Sequence, residues 1–163
     1  MLPRTVFFLV GGIFVLTLAQ RIKCVSSSRY FIPSFKANWH KANEYCFFLG
    51  MRLAFTDSVE RHNAVVEEAK RSEVLDVAVT VLWLGASDLG QEGLFYWHAT
   101  GARVRFMNWR SDNPDDFGGV EDCVALVNIP DKGWHWHAND AGCEAEHYFI
   151  CENDEHGQEI KEF

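Results

Sequence analysis

The cysteines constrain this chain more than any other feature. There are five, Cys24, Cys46, Cys123, Cys143 and Cys151, and no two form a Cys-x-x-Cys pair, so a zinc or dithiol redox site has little to build on. Ahead of them Arg4 precedes an apolar run from Val6 to Leu18, followed by Ala19. That is the layout of a secretory signal, residues 1–19, with cleavage expected near Ala19. The run is shorter than the roughly 18 to 20 apolar residues that span a bilayer and is interrupted by Gly11 and Gly12, so no membrane anchor is expected. A secreted, extracellular chain meets an oxidising compartment, where four of its cysteines can form two bridges and a fifth is left over. Several pairings remain open from the sequence alone.

The 163 residues have room for one domain with its own core. Residues 20–29, with Ser26, Ser27 and Ser28, read as a linker. The domain is expected over 30–152, and the charged, polar segment 153–163 as a disordered acidic tail. Asn38 is a plausible cap for a helix that carries Trp39, Ala42, Cys46 and Leu49 on one face and ends at Gly50. A second helix is expected with Asp57 as cap, Glu60 completing a capping box, and Val66 and Ala69 on its inner side. Short β-branched and aromatic runs follow at Val77–Leu84, Leu94–His98, Arg103–Trp109, Cys123–Asn128, Gly133–His137 and Tyr148–Cys151. Two helices followed by short antiparallel strands give an α+β domain.

A formal charge of −8 argues against nucleic acid and anionic membranes as partners. No Gly-x-Ser-x-Gly or His-Glu-x-x-His stretch is present, and no nucleophile is paired with a base, so an enzyme is not expected. In Trp134-His135-Trp136-His137, strand alternation places both tryptophans on one face and both histidines on the other, without a third zinc ligand.

Taken together, Trp83-Leu84-Gly85-Ala86, Asn108-Trp109, Asn113-Pro114-Asp115, Glu121-Asp122-Cys123, Asn139-Asp140-x-x-Cys143 and Phe149-Ile150-Cys151-Glu152 resemble the C-type lectin family. The small single-domain layout is similar to secreted invertebrate, particularly insect, members. The resemblance runs from about Tyr30 to Glu152. It implies the C-type lectin-like fold with long calcium-binding loops, the bridges Cys46–Cys151 and Cys123–Cys143, and an unpaired Cys24 that could join two chains in a dimer.

The resemblance also implies two calcium sites. Calcium takes six to eight oxygen ligands at about 2.3 to 2.6 Å. The primary, sugar-coordinating site would use Asn113, Asp115, Glu121, Asn139 and Asp140, with Pro114 in the cis form. Asn113 lies eight residues before Glu121, the family's motif spacing. An auxiliary site would use Asp88, Glu92, Asp116 and Asp122. Mannose-type members carry Glu-Pro-Asn in this loop and galactose-type members Gln-Pro-Asp. The amide-then-acid order of Asn113-Pro114-Asp115 therefore leans toward galactose, with Asn113 one methylene shorter than glutamine. Phe117 either stacks on the sugar or packs into the loop. The function so implied is calcium-dependent binding of galactose-type glycans, for recognition of microbial or cell-surface glycans in innate immunity. The alternative is a calcium-independent, protein-binding or disulfide-linked heteromeric C-type lectin-like domain, suggested by Cys24 and by the segment Pro130–His137.

Overall fold

The computed structural model describes residues 29–76 and 78–153. The expected signal segment, Cys24, most of the expected linker and the tail beyond Asn153 lie outside the described residues. Helix α1 (Trp39–Phe48) is capped by Asn38, whose side chain accepts the Lys41 amide at 2.9 Å. It buries Trp39, Ala42 and Cys46. Leu49, expected on that face, is instead the C-cap and 39% exposed, because the helix stops before completing the turn that would bring it round. Helix α2 (Val59–Arg71) buries His62, Val65, Val66 and Ala69. Its cap is Ser58, which accepts from the Arg61 amide at 3.2 Å. Asp57, expected as the cap, lies one residue too early and pairs with the Arg61 side chain at 3.4 Å.

Two sheets carry the remaining strands. β1 (Tyr30–Phe31), β8 (Cys151–Glu152) and β2 (Arg52–Leu53) form a small antiparallel sheet with β8 in the middle. β1 and β2 were not expected from sequence: two-residue strands are too short to show a period. The large sheet runs β4 (Tyr96–Trp97), β3 (Thr80–Ser87), β5 (Cys123–Ile129) and β6 (Trp134–Ala141), antiparallel throughout, with β7 (Tyr148–Phe149) added in parallel to β3. The run Tyr148–Cys151 is thus two strands in two sheets. The strand expected over Arg103–Trp109 is not formed. Its ends make single bridges to different partners, Arg103 to Tyr96 and Trp109 to Ala138, so no ladder can propagate.

β3 and β5 are buried on both faces, which is why each reads as a nearly unbroken apolar run. Leu82, Leu84, Val124, Leu126 and Ala138 belong to one core cluster with α2; Trp83, Cys123, Ala125 and Val127 belong to the other with α1. Gly85 is required where β3 meets β2, since a Cβ there would stand 2.8 Å from the Leu53 carbonyl oxygen. In β6 the register shifts between the Val127 and Ile129 pairings, and Trp136 takes a positive φ of 56°. Trp134 consequently packs toward the α1 cluster and Trp136 toward the α2 cluster. The bulge defeats the alternation that would have put both tryptophans on one face.

The two ends of the described chain are tied together around Glu152. This fully buried carboxylate accepts from Arg29 at 2.9 and 3.1 Å, pairs with Arg61, and lies 3.9 Å from Arg52. Arg29, placed by composition at the end of the linker, is therefore part of the fold. The bridges are Cys46–Cys151, closing a separation of 105 residues between α1 and β8, and Cys123–Cys143, closing one of 20 between the first residue of β5 and the chain just past β6. In the chain-entropy view, whose mechanism is model-dependent, the longer closure contributes roughly 4 to 5 kcal/mol.

Candidate metal centre

β5 begins beside the end of β6, with Val124 opposite Asp140 and Cys123 opposite Ala141. Asp140 is thereby fixed on a strand, 1% exposed, facing the long loop between β4 and β5. The loop is built around its carboxylate. Oδ2 accepts the backbone amides of Asp115 at 2.9 Å and Asp116 at 2.7 Å, and Oδ1 accepts the Asn113 side-chain amide at 2.6 Å. The Asn113–Pro114 peptide is cis, and the Asn113 side-chain amide also donates to Asp115 Oδ1 at 2.6 Å. Asp116, with φ of 40°, accepts the Glu121 amide at 3.0 Å, and Glu121 Oε2 accepts the Phe117 amide at 3.1 Å.

The result is a cluster in which Asp115, Glu121 and Asp140 each bring a carboxylate oxygen within 4.8 Å of the others. Loss of hydration on burial pushes the Glu121 carboxyl above its ordinary value, with the charges of Asp140, Asp115 and Asp116 adding to the rise against the Phe117 hydrogen bond. Asn113 Oδ1 is buried without a hydrogen-bond partner. Such an atom costs free energy unless something electropositive meets it. An amide oxygen and three crowded carboxylates match the hard-oxygen donor set of calcium. Asn139 sits next to Asp140 on β6, its side-chain amide donating to the Asp140 carbonyl. Phe117 is 77% exposed, so it does not pack into the loop.

A second cluster stands beside the first. Asp88, just past the end of β3, is 2% exposed; its amide donates to the Asp122 carbonyl at 3.0 Å and its Oδ2 accepts from the Gly93 amide at 2.8 Å. Asp88, Glu92 and Asp122 bring carboxylate oxygens within 4.8 Å of one another. Asp88 Oδ1 is buried without a partner. Burial raises the Asp88 carboxyl, opposed by the Gly93 hydrogen bond and reinforced by Asp122 and Asp140. Asp116 is not among the three. Its Oδ1 accepts the Glu121 amide, while its charge bears on both Glu92 and Glu121. What sequence reasoning did not show is the second duty of Asp140, as the acceptor that organises the loop backbone.

The family described as the Lectin C-type domain matches residues 35–153. The chain is 39% identical over 137 residues to Salivary C-type lectin 1 of Aedes albopictus, covering 84% of this chain and 89% of that protein. It is 40% identical over 134 residues to C-type lectin 16 of Aedes aegypti, covering 82% and 87%. Among solved structures it is similar to the mouse scavenger receptor C-type lectin carbohydrate-recognition domain, at 25% identity and a TM-score of 0.64, covering 77% of this chain and 90% of that one. Human lithostathine, at 22% identity and a TM-score of 0.66, shares the fold.

Proposed function

The chain belongs to the C-type lectin family, whose members are carbohydrate-binding proteins and not enzymes, and from that premise we propose that it is a secreted lectin whose sugar binding depends on calcium and favours galactose-type glycans. The observation that carries the proposal is the convergence of carboxylate oxygens of Asp115, Glu121 and Asp140 to within 4.8 Å of one another, with the Asn113 side chain hydrogen-bonded to Asp115 and Asp140. Asn113, Asp115, Glu121 and Asp140, with Asn139 beside them, would hold the ion. Asp88, Glu92 and Asp122 would hold a second one that braces the loop. Bound calcium supplies open coordination positions for two neighbouring hydroxyl oxygens of a sugar.

The protein's own contribution is orientation. Carboxylate oxygens accept from the sugar hydroxyls and amide N–H groups donate to them, so the order of amide and acid across Pro114 selects the hydroxyl arrangement. Asn113 before and Asp115 after support the galactose preference. Phe117, exposed two residues beyond Asp115, offers a ring for the apolar face of the sugar. Secretion is supported by the leader-like N-terminal sequence and by relatives named as salivary lectins; no helix among the described residues is long and apolar enough to cross a membrane.

The test is affinity chromatography on immobilised galactose and mannose in calcium. The expected result is retention on galactose, release by EDTA, and weaker retention on mannose. Equal retention in calcium and EDTA would sink the calcium dependence, and no retention on either sugar would sink the proposal and favour the protein-binding alternative.

A further inference from the structure

A cleft of about 450 Å³ lies beside the calcium loop, between the turn Arg110–Asn113 and the β5–β6 hairpin. Its ordering element is the half-buried Trp134 ring, over which Arg110 places its guanidinium 4.4 Å from the centroid and Lys132 its ammonium at 4.9 Å. Among the described residues neither cation has a carboxylate within ion-pair distance, although Asp112 also lines the cleft. A guanidinium stacked on a ring engages its face and leaves its in-plane N–H donors without acceptors.

The other polar groups there are mostly donors. His137 Nδ1 accepts the His135 backbone amide at 3.2 Å, which leaves Nε2 as the ring nitrogen that carries hydrogen. Ser111 adds a hydroxyl. Apart from Asp112, these groups call for an acceptor with several oxygens, and a planar fork suits a carboxylate or a sulfate.

The cleft is adjacent to the loop by construction. The Asn113 amide donates to the Arg110 carbonyl at 3.0 Å, a turn that holds the two Cα atoms within about 7 Å. The Arg110 amide donates to the Ala138 carbonyl at 2.9 Å, pinning this side of the cleft to β6 two residues before Asp140.

We infer that the Arg110–Lys132–Trp134 cleft is an accessory subsite for an anionic group, a sulfate ester or a uronate carboxylate, on the glycan whose neutral sugar occupies the Asn113–Asp115 loop. This rests on the carbohydrate-binding reading of the loop. The formal charge of −8 repels polyanions as a whole, so a preference for an acidic glycan has to come from local donors.

The test compares binding of the full chain to neutral galactan, to the same galactan after chemical sulfation, and to polygalacturonate, each in calcium and in EDTA. It is run at physiological salt, which screens exposed charges beyond about 8 Å. In calcium the sulfated or the carboxylated polymer is expected to bind roughly tenfold more tightly than the neutral one, the scale of a charge-assisted contact; which of the two gains identifies the anion. The R110Q/K132Q variant is expected to lose that gain and keep the neutral affinity. R110K, which retains the charge but not the fork, is expected to lose part of it. A thermal melt matching the parent shows that each variant is folded, and K132Q alone, at an exposed position, gives a partial loss should the double variant melt early. No gain on either anionic polymer, or a gain that survives R110Q/K132Q, overturns the subsite. Failure of the calcium reading looks different: neutral galactan would bind equally in EDTA, or not at all, while the anionic polymer still responded to R110Q/K132Q.

Discussion

Asn113 donates its side-chain amide to Asp140 across 27 residues of sequence, with Nδ2 2.6 Å from Oδ1. The bond joins a loop that has no regular structure to a strand buried in the large sheet. The amino end of the amide occupies the space between the Asp115 and Asp140 carboxylates, where a cation would be most favoured, and its carbonyl end has no partner. The loop is thus shaped around negative charge before any ion is considered.

Asp140 and Glu121 separate loop construction from ion holding. Asp140→Ala removes the acceptor for two backbone amides and the Asn113 side chain, and is expected to lower stability in EDTA by about 2 to 3 kcal/mol. Glu121→Gln keeps most of the local packing and is expected to cost under about 1 kcal/mol in EDTA while abolishing calcium-dependent sugar binding. Urea unfolding in EDTA and in calcium, with galactose retention, checks both; equal losses for the two variants in EDTA would contradict the distinction.

Sugar choice should follow the residues flanking Pro114. Exchanging acid and amide in N113E/D115N is expected to move the preference from galactose toward mannose, read by competition with the free monosaccharides. Phe117→Ala is expected to weaken galactose binding by roughly two- to tenfold, the range of an aromatic stacking contact, with calcium affinity unchanged.

Calcium binding should weaken as pH falls. Burial and neighbouring acids raise the carboxyls of Glu121 and Asp88 above their ordinary values, so in mildly acidic solution protons compete for the oxygens that calcium needs. Titration calorimetry in two buffers of different ionisation enthalpy is expected to show proton release on calcium binding, larger near pH 5 than near pH 7.

His62 contributes a pH dependence of its own. It is buried in α2 with its Nε2 3.2 Å from the Asn108 amide, and burial, aided by His137, lowers its pKa from 6.5. The unfolded chain therefore takes up the proton first. The stability linked to His62 is full above about pH 6.5 and is lost as pH falls toward the folded-state value. In saturating calcium the parent is expected to lose stability on going from about pH 7.5 to 5.5, and His62→Gln less; parallel curves by urea midpoint would count against the assignment.

Local signals reached far in this chain. The Asn38 cap, the stripe from Trp39 to Cys46, the runs of β3 and β5, and the order of the Asn113 and Asn139 motifs all depend on neighbours in sequence. The readings that changed depended on distant partners. Asp57 gave way to Ser58 as cap, and Arg103–Trp109 found no single strand to pair with. The Trp134–Trp136 alternation was broken by a bulge against β5, and Arg29 was drawn into the fold by Glu152.

From the sequence alone come the family, the α+β class and the chemical types gathered at the loops, because each is written in residue identity and spacing. Only the tertiary structure decided that Asp140 is the acceptor around which the loop closes, that the Asn113 side chain reaches it, and that Arg110 comes to lie over the Trp134 ring. Each is a contact between segments far apart in the chain, and such contacts depend on how the two sheets pack and where their registers shift.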